Sequence, residues 1–117
     1  MGDISIILRR PPYGTVDASE AIRHALGGVT EDIAVKLILV DGGVNAARRN
    51  QDTSNTEYMS AEEGIRDCID MDVDVYADKL SLKDTHLGAD DIVEGVILAG
   101  SSEIAELVKE SDTTIIF

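Results

Sequence analysis

The chain has 117 residues, which fits one domain with a single core and leaves little room for a second. Hydrophobic residues make up 44% and charged residues 28% of the sequence, which is typical of a globular protein. The formal net charge of −13 repels phosphate backbones and anionic membranes, so direct binding of nucleic acid is not expected.

No apolar run approaches the roughly 20 residues that a membrane-spanning helix needs. A single cysteine excludes an internal disulfide. Together with the lack of a signal peptide, this predicts a protein of the reducing cytoplasm.

The chain begins with a predicted strand and a predicted helix. Residues 3–8 (DISIIL) are an Ile-rich run that suits a strand buried on both faces, and Pro11 and Pro12 then end it. The helix is expected to be capped by Thr15 or Asp17 and ended by Gly27-Gly28. Its apolar side chains recur at helical spacing: Ala18, Ile22, Ala25 and Leu26.

The second predicted strand covers residues 33–40 (IAVKLILV) and runs directly into Asp41-Gly42-Gly43. Residues 44–47 are expected to begin a short helix, and the polar stretch 48–55 predicts a mobile loop. Residues 57–69 predict a second amphipathic helix with three inward side chains: Met59, Ile65 and Ile69.

Three further runs complete the pattern. Residues 73–77 predict a third strand, followed by a helical turn at 79–84 and a connector at 87–91. The fourth strand is expected at 95–99 and the fifth at 113–117. Between them, Ser101 or Ser102 should cap a helix whose apolar face carries Ile104, Leu107 and Val108.

Strands and helices alternate along the whole chain, which is typical of βαβ units. The sequence therefore predicts an α/β fold: a three-layer α/β/α sandwich with a five-stranded, mainly parallel sheet, in a single domain over residues 1–117. In such sheets ligands bind beyond the carboxyl ends of the strands.

Glycine and small polar residues dominate the segments that follow the predicted strands, so a ligand could approach the backbone there. Tyr13 stands in a proline–glycine loop and is expected to line a functional surface. The predicted ligand or partner pocket contains Tyr13, Gly14, Asp41, Gly42, Asp78, Ser81 and Ser101. The alternative is that these residues are ordinary caps and turns of βα loops.

Two of the few basic stretches, Arg9-Arg10 and Arg48-Arg49, fall near the same predicted edge. On an acidic protein they could hold an anionic ligand or an acidic partner loop. The alternative is solvated loop charge.

Cys68 is the one candidate nucleophile, and its surroundings are unfavourable. Asp67, Asp70 and Asp72 flank it, and both negative charge and a helix C-terminus raise a thiol pKa. A structural role is therefore expected. His24 and His86 lack the spacing of metal ligands, and no phosphate-binding loop motif occurs, so neither a metal nor a cofactor is predicted.

Several segments together resemble the DsrE/DsrF family, and most closely its DsrF/TusC-type members. The resemblance covers nearly the whole chain, although each segment is short. The matching segments are Pro11-Pro12-Tyr13-Gly14, the following helix with Glu20 and Leu26, Asp41-Gly42-Gly43-Val44 with Gln51 after it, residues 73–75 with Ser81-Leu82, and Ser111-Asp112 before residues 115–117.

This resemblance implies an oligomer, either of identical chains or of DsrE-, DsrF- and DsrH-type paralogs, in which some members pass persulfide sulfur. In DsrE-type subunits a cysteine just after the third strand carries the sulfur. That position corresponds here to Asp78 or a close neighbour, and Cys68 lies before the strand. A non-catalytic sulfur-relay-type subunit is therefore the leading hypothesis. The alternatives are an active sulfurtransferase using Cys68, and a binding module for small anions unrelated to sulfur.

Overall fold

A computed structural model describes residues 3–13, 16–51 and 60–117. Its strands are β1 (Asp3–Leu8), β2 (Ala34–Leu39), β3 (Asp74–Asp78), β4 (Ile97–Ala99) and β5 (Thr113–Ile116). Its α-helices are α1 (Asp17–Thr30), α2 (Ala61–Asp70), α3 (Lys79–Asp84) and α4 (Ser101–Glu110). Two 3₁₀ helices, Asp41–Ala47 and Ala89–Asp91, follow β2 and precede β4.

The five strands form one sheet in the order β4-β3-β2-β1-β5, and every neighbouring pair is parallel. The register places Leu37 between Ile6 and Val75, and Ile6 in turn pairs with Ile115. This confirms the predicted fold class. Because the chain steps in one direction from β1 to β4 and then crosses back to β5, right-handed crossovers place α4 on the opposite face from α1 and α2.

The first sheet face, covered by α1 and α2, holds the main core. Alternate strand residues point towards it, among them Ile6, Leu37 and Val75, all with at most 1% exposure. Ile22 of α1 and Ile65 of α2 close over them. Each fully buried aliphatic side chain contributes about 1.5–3 kcal/mol, so this layer supplies most of the stability.

The second sheet face, which carries Ser5, Ile38, Tyr76, Ile97 and Ile116, is covered much less. Helix α4 lies there against β1, yet none of its own residues is fully buried. Ser5 and Ile38 are buried, and the Ser5 hydroxyl is hydrogen-bonded to that of Ser111. Ile97 and Ile116 remain 43% and 60% exposed, so part of this face is apolar and open.

Helix α1 differs from the prediction at both ends. Gly27-Gly28 does not end it; the helix continues to Thr30, because Gly28 is the residue that packs against Val35 of β2. Thr15 lies outside the described residues, and Asp17 is the first helical residue and not the cap. Val16 is the N-cap, without a side-chain hydrogen bond.

Helix α4 also begins differently. Gly100 is its N-cap, so Ser101 and Ser102 are already helical, and the Glu103 carboxylate accepts a hydrogen bond from the Gly100 N–H at 3.4 Å. Strand β4 starts at Ile97 and not at Gly95, whose φ of 101° is left-handed.

The region around the second helix was predicted only in part. Residues 41–43 already belong to the 3₁₀ helix that was expected from residue 44. Helix α2 begins at Ala61, after the N-cap Ser60, whose hydroxyl accepts a hydrogen bond from the Glu63 N–H at 3.3 Å. Met59 and residues 52–55 of the expected loop lie outside the described residues. In the part of the chain that is described, no helix is long and apolar enough to cross a membrane.

The turn after β2 passes unusually close to the end of β1. A Cβ atom on Gly43 would lie 2.1 Å from the carbonyl oxygen of Leu8 and 2.8 Å from its carbonyl carbon. The Gly43 N–H donates to the carbonyls of Arg9 (3.2 Å) and Val40 (2.8 Å). Only glycine fits here, because the obstructing atoms belong to a backbone held in the sheet.

We expect Gly43→Ala to lower the free energy of unfolding by about 3 kcal/mol or more, because the β1 backbone cannot move aside without breaking ladder hydrogen bonds. Gly27→Ala is the matched control: nothing lies within 4 Å of the added Cβ, and the site is helical. That variant should be stabilised by about 0.5–1 kcal/mol. Urea unfolding of the three proteins measures both effects, and equal stability of the two variants would contradict the expectation.

Candidate functional site

The segments that follow the strands meet at one edge of the sheet, because all five strands are parallel. We call this edge the strand-end site: the loop after β1 with Arg9, Arg10 and Tyr13, Asp41 and Gly42 after β2, Asp78 and Ser81 after β3, and Ser101 after β4. The strand order places the β2 and β3 segments side by side at its centre.

Ser81 links the two central segments. Its hydroxyl donates to Asp78 Oδ2 at 2.6 Å and accepts a hydrogen bond from the Asp41 N–H at 2.8 Å. The same Asp78 oxygen caps α3 by accepting from the Ser81 N–H at 3.2 Å. Ser81 is only 4% exposed, so the hydroxyl is fixed in place by its partners. Asp41 adopts a left-handed φ of 51°, which directs its own N–H towards Ser81.

The other carboxylate oxygen of Asp78, Oδ1, is in a different environment. Oδ1 is buried and accepts no hydrogen bond within the described part of the chain. Leaving a buried acceptor unsatisfied costs about 1–3 kcal/mol, and such a group is often found where function imposes it. Asp78 is therefore the chemically distinctive residue of the strand-end site.

Tyr13 is directed away from this centre. Its hydroxyl donates to Gln51 Oε1 and accepts a hydrogen bond from the Ala61 N–H at 3.3 Å. The Gln51 amide in turn donates to the carbonyls of Ala46 (3.0 Å) and Arg48 (2.8 Å). Tyr13 thus fastens the loop after β1 to the start of α2. Gly14, predicted beside it, lies outside the described residues.

Glu62 adds to the contacts by which Tyr13 and Gln51 hold the loop after β1 against the start of α2. No sequence signal pointed to Glu62. Its carboxylate accepts from the Gln51 N–H at 3.0 Å and from Arg66 at 2.9 Å. Burial raises the pKa of Glu62, but hydrogen bonds from Arg66 and from the backbone of Gln51 and Asn50 outweigh that effect, so the pKa lies below its ordinary value. The Glu62 carboxylate therefore stays negatively charged at neutral pH.

The two arginine pairs do not form one anion site. Arg9 and Arg10 line a cavity of about 410 Å³ with Ile116 and Phe117, but each faces a carboxylate: Arg9 Nε lies 4.0 Å from Asp41 Oδ2, and Arg10 lies 3.3 Å from Asp17 Oδ2. Their positive charge is thereby partly offset.

Arg48 and Arg49 lie elsewhere. Arg49 borders a separate cavity of about 420 Å³ beside β4 and donates from Nε to the Ile92 carbonyl at 2.9 Å. Arg48 forms an isolated antiparallel bridge with Ile92. Both residues help hold the segment before β4 against the turn after β2.

The remaining predicted residues divide between the edge and the core. Gly42 packs closely against Pro11, where an added Cβ would lie 2.9 Å from Pro11 Cδ. Ser101 is exposed in the first turn of α4.

Cys68 is buried among the apolar residues under α2, on the first sheet face and not at the strand ends. Burial, followed by the nearby charge of Asp67, raises the pKa of Cys68 to about 12.

Chemically, the strand-end site offers one unsatisfied carboxylate oxygen and exposed arginines that are paired with carboxylates. Among residues 3–13, 16–51 and 60–117, no three His, Cys, Asp or Glu side chains are grouped so as to hold a metal ion. Asp78 Oδ1 is buried and so is closed off from a ligand in this conformation, and the Cys68 thiol lies in the core and not at this edge.

The fold and this edge define a small α/β protein with an all-parallel five-stranded sheet and its candidate site at the strand ends. The chain belongs to the DsrE/DsrF-like family, whose sequence model matches residues 3–117.

Individual relatives are similar over almost their full length. The intracellular sulfur oxidation protein DsrF of Allochromatium vinosum is 32% identical, with 93% of this chain and 91% of that protein covered. An uncharacterized protein of Methanopyrus kandleri is also 32% identical, with 97% and 93% covered. The crystal structure of the Escherichia coli ychN protein superposes with a TM-score of 0.89 at 20% identity and covers both chains completely, which supports the fold.

We expect Cys68 to react with iodoacetamide at neutral pH far more slowly than free cysteine, because the thiol is buried and its raised pKa leaves almost no thiolate. The rate should approach that of free cysteine once the protein is unfolded in urea. Mass spectrometry of quenched time points measures both rates. Native labelling as fast as free cysteine would show that the thiol is accessible and would contradict the packing described here.

Proposed function

We propose that this chain is a sulfur-relay-type subunit of the DsrE/DsrF-like kind that does not itself carry sulfur and acts through assembly with other chains. Membership of the family implies the sulfur-relay-type role. The strand-end site would receive a partner loop or a small ligand, and the acidic surface would guide docking to a basic partner. The proposed location is the cytoplasm.

One observation carries the proposal that the subunit is non-catalytic. Asp78, the residue at the end of β3 where the family resemblance places a sulfur-carrying cysteine, is a carboxylate tied to the Ser81 hydroxyl. The only cysteine of the sequence is Cys68, buried in the core with a raised pKa. A carboxylate cannot form a persulfide, and a buried neutral thiol is a poor nucleophile.

The exposed part of the second sheet face supports assembly. Its two most exposed aliphatic side chains, Ile97 and Ile116, lie on strands at opposite edges of the sheet, and α4 covers the region between them only partly. Exposed apolar surface of this kind favours association with another chain. Identical chains or DsrE- and DsrH-type paralogs are the proposed partners.

A binding module for small anions is the second candidate, and the cavity beside Arg9 and Arg10 favours it. Both arginines are more than 60% exposed and could turn from Asp41 and Asp17 towards a ligand. An increase in melting temperature with phosphate, sulfate or a nucleotide, lost in Arg9→Gln/Arg10→Gln, would favour this candidate over the subunit proposal.

To test the missing thiol, we expect Asp78→Cys in a Cys68→Ala background to gain one sulfur atom when treated with inorganic polysulfide, whereas the wild-type protein gains none. The introduced thiol stands at the half-buried strand end and not in the core. Intact-mass spectrometry, with and without a reducing agent, measures the added sulfur.

Asp78→Ser in the same background is the matched control, since serine can still cap α3 but offers no thiol. A wild-type protein that takes up sulfur on Cys68 would contradict the proposal and support the sulfurtransferase alternative. Failure of the folded Asp78→Cys variant to take up sulfur would show that this position is not equivalent to the family's sulfur site.

To test assembly, we expect sedimentation velocity to show a species larger than the monomer. Ile97→Asp/Ile116→Asp should shift it towards monomer, because each carboxylate would have to be desolvated in an apolar interface. Met71→Asp adds a like charge at a side chain that is 46% exposed but follows α2, away from both the second sheet face and the strand-end site, and should leave the distribution unchanged. A monomeric wild-type protein would contradict self-assembly.

A further inference from the structure

Helices α1 and α2 are separated on their outer side by an apolar groove of about 330 Å³. Its floor is made by Ile22 and Leu26 of α1 and by Ala61 and Gly64 of α2. Gly64 shapes the groove: a Cβ atom there would lie 2.9 Å from Ile22 Cδ1, so the missing side chain both brings the helices together and keeps the floor low. The groove lies on the side of the first sheet face and is distinct from the strand-end site.

The rim of the groove is acidic. Glu63 and Asp67 stand on consecutive turns of α2, both exposed, and neither is in an ion pair within the described part of the chain. Among the described lining residues Arg23 is the one basic side chain, and it pairs with Glu20 at 2.6 Å, so these two charges offset each other. The net charge at the rim is therefore about that of two carboxylates.

We propose that this groove binds a basic amphipathic helical segment of another protein. Apolar side chains at i, i+3 and i+4 spacing would fill the floor between α1 and α2, and flanking Lys or Arg side chains would meet Glu63 and Asp67. The lining extends over about two turns of each helix, from Ser19 to Leu26 on α1 and from Ala61 to Asp67 on α2, which suits the face of a docked helix.

Charge complementarity selects this occupant over a second copy of the chain. The chain carries 23 acidic and 10 basic side chains, so a second copy has few basic side chains to offer the acidic rim, whereas self-assembly through the apolar second sheet face does not require them. Residues 52–59 directly precede the groove residue Ser60 and contain no Lys or Arg. They therefore have no positive side chain to pair with Glu63 and Asp67. A separate basic partner satisfies both the apolar floor and the acidic rim.

The experiment uses the full chain and a fluorescein-labelled synthetic peptide of Leu and Lys, about four helical turns long, with its Leu residues on one helical face. Fluorescence anisotropy measures the dissociation constant. A peptide of the same composition in scrambled order tests the apolar floor, because it keeps the charge but cannot present one apolar face.

The test variant is Glu63→Lys/Asp67→Lys, which reverses the rim, and the matched control is Glu106→Lys/Glu110→Lys, which makes the same change in net charge on exposed positions of α4. Both pairs are exposed, and thermal melts establish that each variant is folded. We expect the rim variant to bind the amphipathic peptide about tenfold more weakly and the control to bind within about twofold of the wild-type protein. Amide chemical-shift changes should concentrate on α1 and α2.

Three results would overturn the proposal. If both variants lose affinity equally, the peptide is attracted to the general acidic charge and not to the groove. If the scrambled peptide binds as tightly as the amphipathic one, the apolar floor is not used. If the shift changes lie on α4 and β5, the second sheet face and not this groove is the docking surface.

Discussion

The turn after β2 exists in its present form because Gly43 has no side chain where it crosses the end of β1. This close approach lets the Gly43 N–H bond to the Arg9 carbonyl and brings the 3₁₀ helix Asp41–Ala47 down onto the sheet edge. From there Asp41 reaches Ser81, and Ser81 holds the Asp78 carboxylate. The geometry of the strand-end site thus depends on a backbone contact that involves none of the site's own side chains.

The regular elements were predictable because their signals are local. The apolar runs of β1 and β2 and the spacing in α1 and α2 depend only on which faces are buried, and those features persist whatever the neighbours are. The errors lie at element ends. Gly27-Gly28 favours a helix end in isolation, but Gly28 is needed as a small residue against Val35, so the helix continues. Serines at 101 and 102 favour a cap, yet strand β4 ends at Ala99 and leaves Gly100 as the first residue free to adopt the cap conformation.

The candidate site was predictable to a lesser extent. Parallel strands imply that the segments after β2 and β3 share an edge, so the neighbourhood of Asp41, Asp78 and Ser81 follows from the topology. The hydrogen bonds among these three residues could not be predicted in the same way, because they depend on side-chain directions that residue spacing does not give. Tyr13 was expected to line a functional surface, which stays a prediction; spacing did not indicate its bond to Gln51, 38 positions along the chain, or its contact with the start of α2. The charges flanking Cys68 already indicated an unreactive thiol, and burial is the larger reason that its pKa is raised.

The position of β5 has a consequence for biosynthesis. Strand β1 lies inside the sheet next to its edge, and its outer neighbour, β5, is the last of the five strands to be made. While a ribosome is still extending the chain, β1 to β4 can pair with one another, but the Ile-rich outer edge of β1 stays uncovered until β5 emerges. Joining strands more than 100 residues apart is slow, because the connecting loop must first be closed. Until β5 is in place, the chain therefore exposes an unpaired strand edge of the kind that is prone to aggregation.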